Sequence, residues 1–562
     1  MARPARNPSL NSSPRAQPHE GTGIPDPRAP LQRRVPPSLL DRLHSHAAAF
    51  PERVAIDAGE ARVTYRDLDD TTSAGALFLG RSGIRRGQVV AIDATRSAAL
   101  VIAMVATLKA GVAFVILDPA YPANRSARYL QIARPVAVIK LRNEASNDSQ
   151  PSFRSIPHIT LPRDVSASDA PMRPAGDELA YVSFTSGSTG SPKGIIGTHA
   201  PLWHFLEWYA AQFNIRPTDS CALLSGLSHD PLFRDVFAPL WAGGCVRIPS
   251  PSDWPASFEL LHWLRHSGVT IIHLTPIVAR LLLESVSDRR FTLPRVRLVC
   301  FGGDLLRYSD VADFRRLAPK ATFVNFYGAT ETPQAAAWFQ IPRSHDQGGG
   351  SVPIGKGIPD VQLLVFKGDQ QAQVGELGEV CIRTSYLANG YCNNLRDGAT
   401  RFVPNPFTGD PSDRMYRSGD LGRYLPTGDV EWLGRMDRQV KIRGVRVEPL
   451  EVEALLRSHS GIRDVAVVPV HRDREVTLRA YLIAKASPLD PEELTAFCRR
   501  QVPDAMVPQD FVSVRRFPVT PNGKIDFVAL QNPDYGPASE LGDAVNHGLQ
   551  RAMRRIAAET PT

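Results

Sequence analysis

The chain has 562 residues, a formal net charge of +8, 43% hydrophobic residues and 22% charged residues. This length exceeds one compact core, and the composition is that of a globular protein, which excludes fibrous and wholly disordered chains. No apolar run is long enough to span a bilayer, and residues 1–37 lack the apolar stretch of a secretory signal. We therefore expect a cytoplasmic protein with no membrane partner.

Residues 1–37 hold six Arg, nine Pro and only two acidic residues, which predicts a disordered basic tail. The tail explains much of the positive charge, and the remaining chain is only mildly basic. No stretch alternates aromatic and basic residues, so a nucleic-acid partner is not expected. The six cysteines form no C-x-x-C pair and have no zinc-finger spacing with histidines, which favours buried reduced thiols.

From residue 38 onward, strand-like and helical patterns alternate. Ser38 is expected to cap a first helix, residues 89–92 and 112–117 are strand-like, and residues 98–110 are apolar at helical spacing. This rhythm predicts an α/β domain, a mostly parallel sheet covered by helices, over residues 38–436. The polar stretch 143–152 is expected to be a loop within it.

A second, smaller unit is expected over residues 437–532. Residues 465–470 and 479–484 are strand-like, and Asp490 followed by Pro491 is typical of a helix start. Residues 533–562 form a C-terminal extension with one amphipathic segment at 541–557. The pattern predicts a small α+β domain after the large one.

A loop of hydroxyl groups and glycines follows the strand-like residues 181–184 and ends in Pro192-Lys193-Gly194. Glycines let backbone N–H groups approach phosphate oxygens, hydroxyls add donors and the lysine adds charge. Gly194 stands where a kinase-type P-loop requires Ser or Thr, so that motif is excluded. The predicted phosphate-binding residues are Thr185, Ser186, Gly187, Ser188, Thr189, Gly190 and Lys193.

This loop resembles the signature loop of the adenylate-forming superfamily, which includes acyl-CoA synthetases, luciferases and the adenylation domains of nonribosomal peptide synthetases. The resemblance extends over about residues 39–530. It implies a large N-terminal core of layered sheets and helices and a small mobile C-terminal α+β domain. It also implies ATP and Mg²⁺, and a ligase that converts a carboxylic acid to its acyl-AMP and then passes the acyl group to a thiol.

The stretch 325–332 resembles the second nucleotide motif of that superfamily. The resemblance implies that Asn325 bonds the adenine amino group and that Tyr327, next to Gly328, packs on the ring. It implies that Thr330 bonds the AMP phosphate and that Glu331 holds Mg²⁺. A carboxylate that binds Mg²⁺ beside phosphates is chemically reasonable.

Three later stretches agree with the same resemblance and occur in the same order. In 416–421, Asp420 would bind the ribose hydroxyls. In 434–444, Arg435 would contact the nucleotide and Asp437 would be the hinge between the domains. In 521–526, Lys524 would be the catalytic lysine, and an ammonium there would stabilise the charge that develops between carboxylate and α-phosphate.

The stretch 228–235 aligns with the start of the substrate pocket in peptide-synthetase adenylation domains. Asp230 occupies the position that pairs with a substrate α-ammonium, although an Asp before Pro231 is also a good helix cap. Arg234 departs from the usual pattern and could bond a polar side chain or pair with a structural carboxylate. The further pocket positions expected from the alignment are His273, Val299, Phe301, Phe326, Gln334 and Ala335.

Phe301 and Phe326 would fill space in this pocket, whereas His273 and Gln334 could bond a polar group. The sequence therefore favours a small or polar amino acid as the substrate, activated for secondary metabolite biosynthesis of the nonribosomal peptide type.

Only 38 residues follow Lys524, too few for a carrier domain. The expected acceptor is therefore the phosphopantetheine thiol of a separate carrier protein, served by a free-standing enzyme, although the chain could also be excised from a larger synthetase. Two alternatives remain open: an acyl- or aryl-CoA ligase of the same fold, and a non-catalytic nucleotide-binding scaffold. The joint presence of Lys193, Glu331, Asp420 and Lys524 argues against the scaffold.

Overall fold

The computed structural model describes residues 23–34, 36–59, 61–141, 156–161, 174–187, 191–250, 257–286, 288, 290–345, 350–392, 395–472, 475–485, 489–519, 525–532 and 535. Four predicted site residues lie outside the described residues: Ser188, Thr189, Gly190 and Lys524. The predicted loop 143–152 and the predicted amphipathic segment 541–557 also lie outside them.

The strands of the described chain are, in order, β1 Val54–Ala58, β2 Ala61–Thr64, β3 Val89–Asp93, β4 Ala113–Leu117, β5 Ala137–Lys140, β6 His158–Ile159, β7 Leu179–Thr185, β8 Lys193–Thr198, β9 Ser220–Ala222, β10 Cys245–Arg247, β11 Ile271–Leu274, β12 Leu298–Phe301, β13 Thr322–Tyr327, β14 Ala337–Gln340, β15 Lys356–Gly357, β16 Val361–Lys367, β17 Gln370–Gln371, β18 Gly378–Thr384, β19 Phe402–Pro404, β20 Arg414–Tyr424, β21 Val430–Arg435, β22 Val440–Ile442, β23 Val445–Val447, β24 Ile462–Arg472, β25 Glu475–Ala484 and β26 Asp510–Ser513.

The α-helices are, in order, α1 Leu39–Ala49, α2 Tyr65–Arg81, α3 Ala98–Lys109, α4 Ala123–Ala133, α5 His199–Gln212, α6 Pro231–Trp241, α7 Ser257–His266, α8 Pro276–Glu284, α9 Tyr308–Arg315, α10 Leu395–Arg401, α11 Pro449–Arg457, α12 Pro491–Arg499 and α13 Phe527–Gln531. Short 3₁₀ helices span Arg343–His345 and Asp504–Met506. Within the described part of the chain, we find no helix that combines the length and the apolar character needed to cross a membrane.

Two large sheets carry the core, and most of their neighbouring strands are parallel. One has the order β15-β14-β13-β12-β11-β9-β10-β1-β2, and the other has the order β6-β5-β3-β4-β7-β8. Antiparallel pairing is confined to their ends, at β1–β2, β13–β14, β14–β15 and β7–β8. The predicted α/β class is confirmed, and the carboxyl ends of β9, β12 and β13 meet at one edge, where ligands of such sheets usually bind.

A third sheet is antiparallel and has the order β17-β16-β18-β20-β19, with β21 added beside β20. Its strand β20 contains Asp420, and β21 ends at Arg435. Residues of this sheet share one hydrophobic core with the two large sheets. The third sheet thereby carries two predicted nucleotide-binding residues to the edge of the parallel sheets.

The C-terminal residues form a small unit with a core of its own. The hairpin β22–β23 is followed by α11 and by the sheet β24-β25-β26. Val465 and Val467 face a cluster with the hairpin and α11, whereas Ala466 and Val468 face a second cluster with α13. Because strand side chains alternate between faces, the two clusters lie on opposite faces of this sheet.

Several local predictions are confirmed. The Ser38 side chain accepts a hydrogen bond from Leu40 N, and that of Asp490 accepts one from Glu492 N, so both cap the helices predicted to follow them. The strand and helix patterns at 89–92, 98–110 and 112–117 correspond to β3, α3 and β4. The six cysteines are free, and Cys392 is the one among them that is not fully buried.

The prediction of a disordered tail over residues 1–37 is wrong for residues 23–34, which lie against the third sheet. Their backbone carbonyls are held by polar side chains of that sheet: Asn405 Nδ2 donates to Pro27 O and Arg383 Nη1 donates to Ala29 O, both over 2.8 Å. Side-chain donors thus satisfy an extended, proline-rich backbone, which composition alone does not reveal. We call residues 23–34 the N-terminal strap.

Candidate active site

The phosphate loop begins at the end of β7 and returns in β8. Thr185 and Lys193 are direct partners in this antiparallel pair, so the loop closes on itself. A Cβ atom on Gly187 would lie 1.7 Å from the carbonyl oxygen of Ser191. Only glycine therefore fits at this position, so the backbone of the loop can approach a ligand closely.

A cavity of about 500 Å³ lies at the carboxyl end of β13. Among the residues that line it are Asn325, Tyr327, Gly328, Asp420 and Arg435. Asn325 Nδ2 donates to the carbonyl of Pro353 over 2.9 Å, which fixes the direction of its amide. The structure therefore brings these five predicted nucleotide residues into one cavity, of a size usual for small-molecule sites.

Asp420 is buried and fully engaged by its neighbours. Tyr327 Oη donates to its Oδ2 over 2.6 Å, and Trp432 Nε1 and Arg435 Nη1 reach its Oδ1 at 3.1 and 2.8 Å. Burial by itself would raise the pKa of Asp420, but the charges of Arg435 and Lys441 outweigh it and hold the pKa below the ordinary value. Asp420 is therefore an ionised, oriented hydrogen-bond acceptor.

Glu331 is buried beside the phosphate loop. Its Oε1 accepts a hydrogen bond from Tyr391 Oη over 2.8 Å, and both of its oxygens lie within 3.2 Å of Arg446 Nη1. Burial would raise the pKa of Glu331, but the Arg446 charge and the Tyr391 hydrogen bond bring it below the ordinary value. A single ionised carboxylate next to a phosphate-binding loop fits Mg²⁺, which takes few protein ligands beside phosphates.

Lys193 lies on the same side of the loop as this carboxylate. Its Nζ is 5.5 Å from the ring centroid of Tyr391, the residue that also holds Glu331. An ammonium over an aromatic face is attracted by the ring. Tyr391 thus connects the predicted phosphate lysine to the predicted metal carboxylate.

Asp230 precedes α6 and lines a smaller pocket next to the nucleotide cavity. It occupies the N-cap position, but its side chain makes no capping hydrogen bond. Its Oδ1 accepts a hydrogen bond from Thr330 Oγ1 over 3.3 Å. Burial raises the pKa of Asp230 above its ordinary value, and the charge of Arg234 only partly opposes this. The sequence left two roles open for Asp230, pairing with a substrate ammonium or capping the helix, and its side chain does not cap the helix in the structure.

Arg234 lies one helical turn after Asp230, so the two side chains share a face of α6 and line the same pocket. Its guanidinium is centred 5.3 Å from the ring of Phe326. Its Nε is buried and has no hydrogen-bond partner among the described residues. Gln334 also lines this pocket, where its Nε2 donates to Asp230 O over 3.0 Å.

His273 and Phe301 are not brought into this pocket. The two ring nitrogens of His273 are taken up by Asp235 Oδ1 at 2.7 Å and Tyr209 Oη at 2.9 Å. Burial lowers the pKa of His273 despite the opposing Asp235 carboxylate. Phe301 packs in the hydrophobic cluster behind the sheet, with Phe314 and Phe323. Phe301 therefore lies on the face of the sheet opposite Phe326, whereas His273 lies on the same face as Phe326 but is occupied by its two hydrogen bonds.

The small unit covers the site. Lys441 and Arg446, from the hairpin β22–β23, line the pockets together with residues of the large sheets. Asp437 lies between β21 and β22, and its carboxylate is paired with Arg435 through Nε at 2.7 Å and Nη2 at 2.9 Å. The predicted hinge residue therefore stands where the chain passes from one unit to the other.

The residues that flank Lys524 lie on the opposite face of the small sheet. Val519 and Ile525 pair with each other, and Ile525 packs in the cluster of Val468 and α13. The hairpin that carries Arg446 packs on the other face. In this arrangement the hairpin face of the small unit covers the pockets, and the residues that flank Lys524 lie on the other face.

Comparisons with known proteins agree with this geometry. Residues 43–392 match the family of AMP-binding enzymes, and residues 451–524 match its C-terminal domain. The chain belongs to the AMP-binding enzyme family. It is accordingly a member of the adenylate-forming superfamily.

This AMP-binding enzyme resembles parts of longer curated proteins. It is 33% identical to the L-2-aminoadipate reductase of Schizosaccharomyces pombe, over 94% of the chain and 44% of the reductase. It is 34% identical to tyrocidine synthase 2 of Brevibacillus parabrevis, over 87% of the chain and 13% of the synthase. The chain therefore spans less than half the length of these relatives.

Among solved structures, the AMP-binding enzyme resembles holo-PA1221, an NRPS protein containing adenylation and PCP domains. The TM-score is 0.76 at 26% identity, and the match covers 88% of this chain and 84% of that one. The structure of IdnL1 matches with a TM-score of 0.75 at 26% identity, over 86% of this chain and 99% of that one. The expected adenylation-domain architecture is thereby confirmed.

The structure adds residues to the site of this AMP-binding enzyme that the sequence motifs did not single out. They are Arg125, Tyr391, Trp432, Arg446 and Glu451. Arg446 lies two residues beyond the recognised stretch 434–444, so extending that motif would have found it. Tyr391 and Trp432 have no such signal, because only their tertiary contacts connect them to the site.

Proposed function

We propose that this enzyme uses ATP to activate an amino acid that carries a second carboxylate, and then transfers the aminoacyl group to the phosphopantetheine thiol of a carrier protein. The observation that carries the substrate class is the buried Arg234 guanidinium, whose Nε lacks a hydrogen-bond partner in the described pocket. A buried guanidinium donor without an acceptor is costly, and a substrate carboxylate would supply the missing acceptor.

Asp230 and Arg234 divide the pocket into an anionic and a cationic position, one turn apart on α6. An α-ammonium would pair with Asp230, and a carboxylate would pair with Arg234. The substrate's remaining carboxylate is then left to meet the α-phosphate of ATP. The relatives named L-2-aminoadipate reductase support a dicarboxylic amino acid, and 2-aminoadipate is our first candidate.

In the first half-reaction, a carboxylate oxygen attacks the α-phosphorus and pyrophosphate leaves. The phosphate loop would hold the β- and γ-phosphates, and Asp420 would accept hydrogen bonds from the ribose. Lys524 would lie over the α-phosphate and stabilise the developing charge. Bound Mg²⁺ would neutralise phosphate charge, with Glu331 as its ligand from this chain.

In the second half-reaction, a thiolate attacks the acyl carbon and AMP leaves. The solved adenylation–PCP proteins among the structural neighbours support a carrier thiol as the acceptor. The covering position of the small unit supports a rearrangement between the steps, since an anhydride must be shielded from water before the thiol enters. Asp437 is our proposed hinge for that change.

The test is pyrophosphate exchange across a panel of 2-aminoadipate, glutamate, aspartate, glutamine, norleucine and aryl acids. We expect the dicarboxylic acids to be the best substrates. Arg234→Leu should lower their kcat/KM by about 100-fold, as expected for a lost buried ion pair of a few kcal/mol, and improve norleucine relative to them. Arg316→Leu, at the exposed C-cap of α9, is the matched control.

Preference for norleucine in the unmodified enzyme would overturn the substrate class. The acceptor is tested separately, with purified phosphopantetheinylated carrier proteins and with free CoA. Thioester formation on CoA alone would replace our proposal with a CoA ligase. Failure of exchange with every acid would point to a non-catalytic protein.

A further inference from the structure

Two charged side chains of the small unit lie at the phosphate loop, one cationic beside the carboxylate that fits Mg²⁺ and one anionic at a backbone N–H expected to bind phosphate. The first is Arg446, on β23. Its Nη1 lies 3.2 and 3.1 Å from the two oxygens of Glu331, the carboxylate that fits Mg²⁺. Its backbone carbonyl also accepts a hydrogen bond from Ser186 Oγ over 2.6 Å. A cation of the protein thus stands where the metal's charge would be needed.

The second is Glu451, in the first turn of α11. Its Oε2 accepts a hydrogen bond from Gly187 N over 3.0 Å. Its Oε1 forms an ion pair with Arg125, on α4 of the large unit. Both members of this pair are almost completely buried, with side-chain exposures of 3% for Arg125 and 1% for Glu451. The carboxylate therefore binds to the backbone N–H of the glycine that sequence and geometry assign to phosphate.

Arg125 is a buried cation whose ion-pair partner in this arrangement, Glu451, belongs to the other unit. If the small unit moves away, Glu451 leaves with it, and the two groups that held its carboxylate, Arg125 and Gly187 N, remain in the large unit. An arginine fork and a backbone N–H group together make a good seat for a phosphate oxygen pair. The anion that replaces the Glu451 carboxylate at Arg125 and Gly187 N would then be a phosphate group of the nucleotide or of pyrophosphate.

We propose that Arg125 is a phosphate-binding residue, and that Glu451 and Arg446 are positioning residues that compete with Mg·pyrophosphate for Arg125, Gly187 and Glu331. This inference rests on the proposed adenylation reaction. The covering arrangement of the small unit and bound Mg·pyrophosphate are mutually exclusive. Release of Mg·pyrophosphate then frees the cationic site at Arg125 and the anionic site at Glu331. The small unit places Glu451 at the first and Arg446 at the second.

The proposal predicts effects of opposite sign on the affinity for pyrophosphate. Arg125→Gln removes a binding group but also the partner of Glu451, so its effect is measured in the Glu451→Gln background, where that ion pair is already lost. There the Kd for inorganic pyrophosphate with Mg²⁺ should rise about tenfold relative to Glu451→Gln alone, the loss of one charged hydrogen-bonding partner. Glu451→Gln weakens the internal competitor, so the Kd should fall by a similar factor. Arg446→Gln should lower the Kd as well, because Glu331 becomes free for the metal.

Titration calorimetry of the full chain with Mg²⁺ and inorganic pyrophosphate measures these constants without turnover. Asp464→Asn, an exposed acid of the small unit that contacts Arg457, is the control and should leave the Kd unchanged. A rise in Kd for Glu451→Gln or for Arg446→Gln, or no change in all three variants, would overturn the proposal. Circular dichroism of each variant verifies that it is folded.

A distance measurement provides the second readout. Spin labels on Arg316→Cys, in the large unit, and Glu492→Cys, in the small unit, report the arrangement of the two units by pulsed EPR. Mg·pyrophosphate should deplete the covering arrangement in the parent, and Glu451→Gln should deplete it without ligand. An unchanged distance distribution in Glu451→Gln would contradict the proposal. Neither readout requires an amino acid substrate, so failure of the proposed function would be seen separately, in pyrophosphate exchange.

Discussion

Tyr391 donates its phenolic hydrogen to Glu331 Oε1 over 2.8 Å, while the ammonium of Lys193 lies 5.5 Å from the centroid of the same ring. One side chain therefore sets the direction of the carboxylate expected to bind Mg²⁺ and the place of the lysine expected to bind phosphate. The two contacts use different parts of Tyr391, its hydroxyl and its ring, so they can be separated by substitution.

Tyr391→Phe keeps the ring and removes only the hydrogen bond to Glu331. We expect the Mg²⁺ concentration for half-maximal pyrophosphate exchange to rise about tenfold, the usual effect of losing a group that orients a metal ligand. The KM for ATP at saturating Mg²⁺ should change less. Tyr391→Leu should raise both values, because Lys193 also loses its aromatic support. An unchanged Mg²⁺ dependence in Tyr391→Phe would contradict the role of the hydroxyl.

Asp420→Asn replaces an ionised acceptor that three donors surround. An amide presents one acceptor oxygen and a donor that would face Arg435. We expect the KM for ATP to rise by about 10- to 100-fold, equivalent to a few kcal/mol of charged hydrogen bonding. Steady-state pyrophosphate exchange at varied ATP measures this. The KM for the amino acid is the internal control, and an equal rise in both would indicate general damage to the site.

The raised pKa of Asp230 predicts the acid side of the pH profile. Binding of a substrate ammonium requires the ionised carboxylate, so affinity is complete above the pKa of Asp230 and is lost below it. Because burial raises that pKa, kcat/KM for the amino acid should begin to fall at a higher pH than an ordinary aspartate would cause. Asp230→Asn should abolish this limb and lower kcat/KM at every pH. A parent profile that stays flat down to the range of an ordinary aspartate would refute the assignment.

Asp437→Pro tests the hinge. Proline fixes φ and removes the backbone N–H, so rotation at this residue should be restricted. We expect thioester formation to be impaired at least about tenfold more than pyrophosphate exchange, as for a variant limited by a conformational step. Asp437→Ala removes the pairs with Arg435 and Arg401 but leaves the backbone free, and serves as the control. Equal loss of both half-reactions in Asp437→Pro would count against a hinge here.

The N-terminal strap gives a prediction about stability. Asn405 Nδ2 donates to Pro27 O and to Asp413 Oδ2, both over 2.8 Å, and its side chain is buried. Asn405→Ala removes the donor to Pro27 O, whereas Asp413 Oδ2 keeps its bonds from Arg383 and Thr408. The free energy of unfolding should fall by about 1–3 kcal/mol. Thermal denaturation measures the change, with the exposed Ser412→Ala as control. Faster proteolysis within residues 23–34 should accompany it, and a Tm equal to the parent's would contradict a structural role for the strap.

Site residues that belong to one short motif could be predicted from the sequence, because their chemistry requires a fixed spacing along the chain. Gly187 and Lys193 belong to one loop, and Asn325, Tyr327 and Glu331 extend from one strand end, so the sequence carries their proximity directly. The helix caps at Ser38 and Asp490 are local for the same reason. The alternation of strands and helices was enough to predict the parallel sheets.

What only the tertiary structure decided depends on which way side chains face and on contacts across hundreds of residues. Phe301 points away from the pocket because a one-residue difference in position reverses the face of a strand. His273 shares the face of Phe326, but its ring is taken up by hydrogen bonds to Asp235 and Tyr209. The strap is ordered by donors more than 350 residues away, at Arg383 and Asn405. Likewise, Arg446 and Glu451 reach Glu331 and Gly187 only because the small unit packs over the phosphate loop, and such packing energy is spread over surfaces that no local pattern encodes.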